Sequence, residues 1–267
     1  STNSTPGMDM RYIPSKVEAC WNFINKLWNA SRYVLMTIDE TYKYETPKFE
    51  SEIDNWILNK LNKVIESSTN NTEKYEFGIA GNEIMSFVWD DLCSMYIEFT
   101  KSSLNSEDLA VKHETLNTLI YVLENTLKLL HPYIPFVTEE IYQEINGKDK
   151  SICVASWPTA LDTVDLKKAE SIDKIIEIIK MTREIRTEND IKPSKELDVV
   201  IDGFELDESL NSIIYRMCKL ITVDSIDEET IVRPLSFGKL EFKMNQIVDK
   251  VAELEKINKE LVRLQSE

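Results

Sequence analysis

The chain has 267 residues, of which 31 are Lys or Arg and 47 are Asp or Glu, so its formal net charge at pH 7 is −16. This charge argues against a protein that binds nucleic acid or anionic membranes without specificity, because such binding depends on basic side chains that neutralise phosphates. A hydrophobic content of 42% with only 6 Gly and 8 Pro favours a folded, mainly α-helical protein over a turn-rich β protein.

Known signatures of catalysis and metal binding are missing from the sequence. The four cysteines are far apart and only two histidines occur, so neither a zinc-ligand spacing nor a disulfide framework is found. His113 and His131 are interpreted as surface or capping histidines. Glycine-rich phosphate loops and nucleophile motifs are also missing. The sequence therefore predicts no metal site and no catalytic residue.

Targeting signals are equally scarce. The chain contains neither a run of about 18 apolar residues that could span a membrane nor a signal peptide at its start. We therefore expect a cytoplasmic protein without membrane or DNA partners. The first residue is Ser1 rather than an initiator Met, which suggests a piece of a longer chain.

Helical periodicity dominates the first part of the chain. Apolar residues recur at spacings of three and four from about Pro14 to Met36, which predicts the first helix. Four further helices are predicted at about 47–67, 73–101, 106–130 and 135–145. Five helices joined by short loops are typical of a bundle, which we assign to residues 1–150.

The pattern changes after the extended stretch 151–158. A charged amphipathic helix is predicted at 165–189, then a strand at 197–201, a helix at 207–219, a strand at 221–226 and a hairpin over 235–244. These elements predict a small α/β subdomain at 151–244. Apolar residues at heptad positions then predict a coiled-coil helix over 245–267.

One face of the first predicted helix is unusual because it is built from amides. Asn22, Asn25, Asn29 and Arg32 fall within about 80° of one another at 100° per residue. Asn is a weak helix former, so a merely solvated face would favour Lys and Glu. Amides suit the base edges of an RNA loop, and an Arg suits a base plane or a phosphate. The alternative is that these amides fasten neighbouring helices.

The same helix carries a family resemblance. Residues 22–33, NFINKLWNASRY, resemble the segment that opens the anticodon-binding region of valyl-tRNA synthetases, a class Ia family. Further matches follow in the family's order and span nearly the whole chain: Asp54–Leu58, Trp89–Cys93, Tyr96–Glu98, His131–Tyr142, Trp157–Pro158 and Arg183–Arg186. Ser94 and Met95 depart from the family pattern, which commonly has Asp-Trp there.

The resemblance implies a class Ia anticodon-binding helix bundle, followed by a small α/β subdomain and the truncated first helix of a coiled-coil tRNA-binding arm. It implies valine tRNA as a partner, bound through its anticodon stem-loop, together with the catalytic and editing domains of the same longer chain. ATP and Mg²⁺ would belong to that catalytic domain, whose class I signatures this sequence lacks. The chain alone should then hold no cofactor and be inactive.

Two sets of tRNA-binding residues are expected on this basis. We expect loop bases to be contacted by Asn25, Asn29 and Arg32. We expect backbone phosphates to be contacted by Lys26, Arg183 and Arg186. For the last two arginines, an ordinary charge ladder with nearby glutamates is the alternative.

Other functions remain open from the sequence. An acidic helical scaffold that pairs with a protein partner through its terminal heptads would explain the charge, although not the amide face. The equivalent region of an isoleucyl, leucyl or methionyl enzyme is a further alternative, and an enzyme acting alone is a third.

Overall fold

A computed structural model describes residues 13–247 of the chain. The chain divides into two compact units, Ser1–Ile172 and Asp173–Glu267. The bundle unit thus ends at Ile172, later than the boundary at residue 150 that the sequence suggested. The fold class is confirmed, because helices dominate the first unit and a small sheet lies in the second. Most of the predicted coiled-coil segment 245–267 lies outside the described residues.

The first unit is a bundle of helices joined by short connections. Its helices are α1 (Pro14–Met36), α2 (Glu52–Glu73), α3 (Phe77–Ser86), α4 (Ile97–Leu104), α5 (Leu109–Leu130) and α6 (Pro135–Asn146). A π-helical stretch, Phe87–Tyr96, joins α3 to α4 without a break. Fully buried aromatic side chains from α2, the π-helical stretch and α4 fill the core, among them Trp56, Tyr96 and Phe99.

The end of α2 differs from the sequence prediction, which stopped the helix in the polar run 67–72. The helix continues to Glu73 because its polar side chains have partners on α3. Ser67 Oγ donates to Glu83 Oε2 at 2.7 Å, and Asn71 Nδ2 donates to the same oxygen at 3.1 Å. These tertiary contacts outweigh the weak helix propensity of the run.

Residues 151–165 belong to the first unit because α2 holds them by side-chain hydrogen bonds. Asn62 bonds both backbone groups of Leu161, at 2.7 Å and 3.0 Å. The Asp165 N–H donates to Asn55 Oδ1 at 2.8 Å. Two asparagines of a helix therefore fix a stretch that has little secondary structure of its own beyond a single 3-10 turn, Ile152–Val154.

The second unit contains most of α7 (Leu166–Glu188), α8 (Glu208–Cys218) and a four-stranded sheet, with the short helix α9 (Met244–Ile247) at its end. The strands are β1 (Leu197–Asp202), β2 (Leu220–Thr222), β3 (Thr230–Leu235) and β4 (Gly238–Lys243), in the order β2-β1-β4-β3. β1 is parallel to β2 and antiparallel to β4, which forms a hairpin with β3. The hairpin thus begins at Thr230, earlier than predicted.

Hydrophobic side chains of α7, α8 and the sheet form the core of this unit. Ile179, Ile214, Val199 and Phe242 are fully buried. Over residues 13–247, each helix is too short or too polar to cross a membrane.

Candidate nucleic-acid interface

Helix α1 packs one side against the bundle and leaves the other side open. Phe23, Leu27, Ser31 and Val34 recur at three and four residues and are buried. Ser31 satisfies its hydroxyl inside the helix by donating to the Leu27 carbonyl at 2.9 Å. The first turns of α1 lie beyond this contact, since every residue from 13 to 22 is exposed.

The predicted base-contacting residues lie on the open side. Asn25, Asn29 and Arg32 are all exposed. Within residues 13–247, none of these side chains makes a hydrogen bond or an ion pair with another residue. The amides therefore do not fasten neighbouring helices, which was the structural alternative for them, and their donors and acceptors face solvent.

Two tryptophans share this side of the helix. Trp21 is 63% exposed and Trp28 is 42% exposed. At 100° per residue, Trp21, Trp28 and Arg32 lie within about 40° of one another. Indole rings are large apolar surfaces that are usually covered, and in RNA-binding proteins they stack on unpaired bases. We call the exposed side formed by Trp21, Asn25, Trp28, Asn29 and Arg32 the α1 face.

A third tryptophan borders the α1 face from the π-helical stretch. Trp89 is 40% exposed, and the Lys26 ammonium lies 3.8 Å from its ring centroid. Lys26 Nζ also donates to the Trp89 carbonyl at 3.0 Å and to Ser94 Oγ at 2.8 Å. The lysine therefore holds the indole in place and keeps one of its three hydrogens for another acceptor.

The π-helical geometry itself forms part of this arrangement. Ser94 Oγ donates to the Trp89 carbonyl at 2.6 Å across five residues. Single π-helical turns within α-helices are frequent at functional sites. Here the Trp89 carbonyl accepts from both Lys26 and Ser94, so Ser94 has a defined role although it departs from the family pattern.

Sequence reasoning missed the three tryptophans as site residues. Trp28 and Trp89 were noted only as family landmarks. The spacing of Trp21, Trp28 and Arg32 could have indicated them, because it places two aromatic residues on the polar side of an amphipathic helix. The core already has a separate apolar side of the same helix to pack against.

Arg183 lies in the second unit on an exposed part of α7. It lines an open cleft of about 710 Å³ together with Lys192, Asp190 and residues of α8. Its guanidinium is accessible, so a role in phosphate contact stays a prediction.

Arg186 has a different role from the one predicted. The side chain is only 6% exposed, and its guanidinium donates to three backbone carbonyls, those of Lys192, Lys195 and Cys218, at 2.8, 2.7 and 2.6 Å. Burial lowers the pKa of this guanidinium from its ordinary value. Arg186 therefore fastens the loop before β1 to the end of α8, and it is too buried to meet a phosphate at the surface.

Among the described residues, one group of three side chains has the atom types and separations of a metal site. It consists of His131, Glu139 and Cys153, and it lies in the first unit.

Comparison with known proteins gives the family. A family model described as the anticodon-binding domain of tRNA ligase matches residues 54–201. Valine–tRNA ligase of Bacillus cereus is 47% identical over 205 residues, which cover 75% of this chain and 23% of that protein. The valine–tRNA ligases of Staphylococcus saprophyticus and Clostridium perfringens are 36% and 38% identical over all of this chain and 32% of their own lengths.

The matches therefore span between 23% and 32% of the length of these relatives. The matched family range covers more than half of the chain, and the alignments that extend over all of it include α1. The chain belongs to the family of anticodon-binding domains of tRNA ligases.

Proposed function

We propose that this chain is the tRNA-binding part of a valine–tRNA ligase and that the α1 face holds the anticodon stem-loop. The observation that carries the proposal is the set of exposed amides, one arginine and two tryptophans on a single helix face, with no hydrogen-bond partner for the amides or the arginine among residues 13–247. The valine–tRNA ligase relatives support valine as the amino acid.

The chemistry of the α1 face suits an RNA loop whose bases are turned outward. Asn25 and Asn29 each offer a donor and an acceptor to base edges, as RNA recognition requires. Trp28 and Trp89 offer planes on which bases can stack, and Arg32 can stack or pair with a phosphate. Lys26 and Arg183 would contact backbone phosphates.

The longer enzyme would supply the ligase chemistry. Its catalytic and editing domains would partner this chain, and the catalytic domain would bind ATP and Mg²⁺ and transfer valine to the tRNA. We propose the cytoplasm as the location, where tRNA is charged. The 267-residue chain alone should show no ATP–pyrophosphate exchange with valine, and measurable exchange would contradict this assignment.

The test of binding is a gel-shift titration of the chain with valine tRNA and with the same tRNA carrying a changed anticodon. We expect weak but preferential binding of the native anticodon at low salt, because base contacts give specificity and phosphate contacts give only affinity. Equal binding of both tRNAs would contradict anticodon reading. Binding of neither would favour an acidic scaffold that acts through a protein partner.

A further inference from the structure

A cluster of three different side chains has no role in the RNA binding proposed above. His131 follows the last turn of α5, Glu139 lies on α6 and Cys153 lies in the 3-10 turn Ile152–Val154. One ligand atom of each residue lies within 4.8 Å of the others. His131 Nε2 and Cys153 Sγ are 3.3 Å apart.

The His131 ring is held by Thr138 through its Nδ1 atom, which leaves Nε2 for another partner. Its Nδ1 lies 2.8 Å from Thr138 Oγ1, and the Thr138 hydroxyl is within 3.0 Å and 3.1 Å of the Ile134 and Pro135 carbonyls. When the single hydroxyl hydrogen of Thr138 is donated to one of these carbonyls, its oxygen accepts from Nδ1–H. Nε2 then carries the lone pair and directs it at Cys153. Threonine here acts as the outer partner that metal-bound histidines commonly have.

The carboxylate is placed by the turn that carries the cysteine. The Ile152 N–H donates to Glu139 Oε2 at 3.1 Å, and Gln143 Nε2 donates to Oε1 at 2.7 Å. These two hydrogen bonds fix the orientation of the carboxylate, and each oxygen keeps a further lone pair for another partner.

The separations match those of a small tetrahedral site. With bonds of about 2.3 Å to sulfur and about 2.1 Å to nitrogen and oxygen, ligand atoms around a tetrahedral zinc ion lie about 3.4 to 3.6 Å apart. The nitrogen–sulfur pair, at 3.3 Å, is about 0.3 Å closer than this geometry requires. The Glu139 oxygen lies within 4.8 Å of both atoms, so it needs to approach them by at most about 1.4 Å, which rotation of the Glu139 side chain can supply.

We propose that His131, Glu139 and Cys153 form a zinc-binding site with solvent in the fourth position. One sulfur, one imidazole and one carboxylate form a ligand set typical of Zn²⁺, while Mg²⁺ and Ca²⁺ prefer oxygen alone. Cys153 is exposed, which leaves an entry path and room for a water molecule. Binding replaces the thiol proton, which leaves to solvent, and the ion would tie the corner between α5 and α6 to the 3-10 turn.

Sequence reasoning excluded zinc because it searched for closely spaced cysteines. Cys153 is 22 residues from His131 along the chain, and the fold brings them together. Without an ion, the same geometry would be a simple hydrogen bond from the Cys153 thiol to Nε2, so the test must separate these two arrangements.

The test is a titration of the chelator-treated, tag-free chain with Co²⁺, followed by displacement with Zn²⁺. We expect one equivalent of Co²⁺ to produce a near-ultraviolet band from the bond between thiolate and cobalt, and one equivalent of Zn²⁺ to remove it. The apparent affinity should rise between pH 6 and pH 8, because the thiol must lose its proton. A chain without such a band would overturn the proposal.

Variants assign the band to this cluster. Cys153→Ser should abolish the band and weaken Zn²⁺ binding at least about 100-fold, and Thr138→Val should weaken it about 10-fold through the histidine. Cys20→Ser removes another exposed thiol, far along the sequence on α1, and should leave both readouts unchanged. A band that survives in Cys153→Ser, or is lost in Cys20→Ser, would also overturn the assignment. Circular dichroism of each variant shows whether it is folded.

Discussion

Burial determines which of the three arginines predicted to bind tRNA can reach a ligand. Arg32 and Arg183 are exposed, so each can meet a phosphate or a base. Arg186 has the same side chain three residues after Arg183 on the same helix, yet it is enclosed by three carbonyls. A guanidinium that binds backbone carbonyls in this way contributes to stability rather than to recognition.

Replacing Arg186 should therefore affect stability. Arg186→Ala leaves three carbonyls without their charged donor, and we expect the free energy of unfolding to fall by about 3 kcal/mol. Urea unfolding followed by circular dichroism measures this change. Arg183→Ala, which removes an exposed arginine from the same helix, should change it by less than about 0.5 kcal/mol. Equal effects of the two variants would contradict the assigned role of Arg186.

The exposed Trp89 ring gives a second prediction at this scale. Trp89→Ala should weaken binding of a valine tRNA anticodon stem-loop about tenfold, because stacking of a base on an aromatic ring contributes about 1 to 3 kcal/mol. Fluorescence anisotropy of a labelled stem-loop measures the affinity. Trp157→Ala is the matched control, since Trp157 is also 40% exposed but its ring N–H bonds Thr69 of α2, whereas Trp89 contacts Lys26 of α1. A comparable loss in both variants would exclude specific stacking on Trp89.

Among the elements, α1 was predicted from the periodicity of apolar residues, and the π-helical stretch was not. The spacing of apolar residues predicted α1 from Pro14 to Met36, and the structure has the same bounds. The π-helical stretch was not predicted, because the spacing of apolar residues was compared only with the 3.6-residue period of an α-helix. That stretch places Trp89 against Lys26, so an important part of the candidate site was not visible in the sequence.

The connection after α1 is held by one carboxylate. The Asp39 carboxylate accepts hydrogen bonds from Lys112 Nζ at 2.8 Å and from His113 Nε2 at 3.4 Å. It also accepts from the backbone N–H and the side-chain hydroxyl of Thr41. The bond from Lys112, followed by that from Thr41, holds the Asp39 pKa well below its usual range. Since the folded pKa is depressed, the resulting stability is present above the unfolded pKa and is lost as the pH falls through the folded pKa.

Asp39→Asn should thus be less stable than the wild-type chain at pH 7, and the difference should shrink as the pH falls below about 4, where the unfolded carboxyl protonates. Urea unfolding at several pH values between 7 and 3 checks this. Asp149→Asn, which changes a largely exposed carboxylate, should match the wild type throughout. A difference for Asp39→Asn that is constant with pH would contradict the linkage.

For the whole molecule, the charge of −16 restricts the mode of RNA binding. A protein with this charge cannot rely on broad phosphate neutralisation, so recognition must depend on a local surface. The α1 face that we propose would be such a surface, because amides and indoles can contact bases without carrying a net charge. We expect binding to one small part of the tRNA, with the rest of the affinity supplied by the longer enzyme.

Periodicity and residue propensities in the sequence predicted the helix bundle, the α/β unit and the polar side of α1. They failed where function depends on contacts between distant segments. The role of Arg186 could not be predicted without knowing that Lys195 and Cys218 lie beside it. The cluster of His131 with Cys153 could not be predicted without knowing how the chain turns between α5 and α6. Such contacts are tertiary, and no local spacing encodes them.

A double-mutant cycle can test the proposed contact between Arg32 on the α1 face and the anticodon loop. Affinities of wild-type chain and Arg32→Ala are measured for the native valine stem-loop and for stem-loops with each anticodon base changed, with Lys63→Ala as the control for loss of an exposed charge on α2. We predict that at least one base change weakens wild-type binding about tenfold yet has little further effect in Arg32→Ala, because contacting groups are not additive. Additive losses at every anticodon position would contradict the claim.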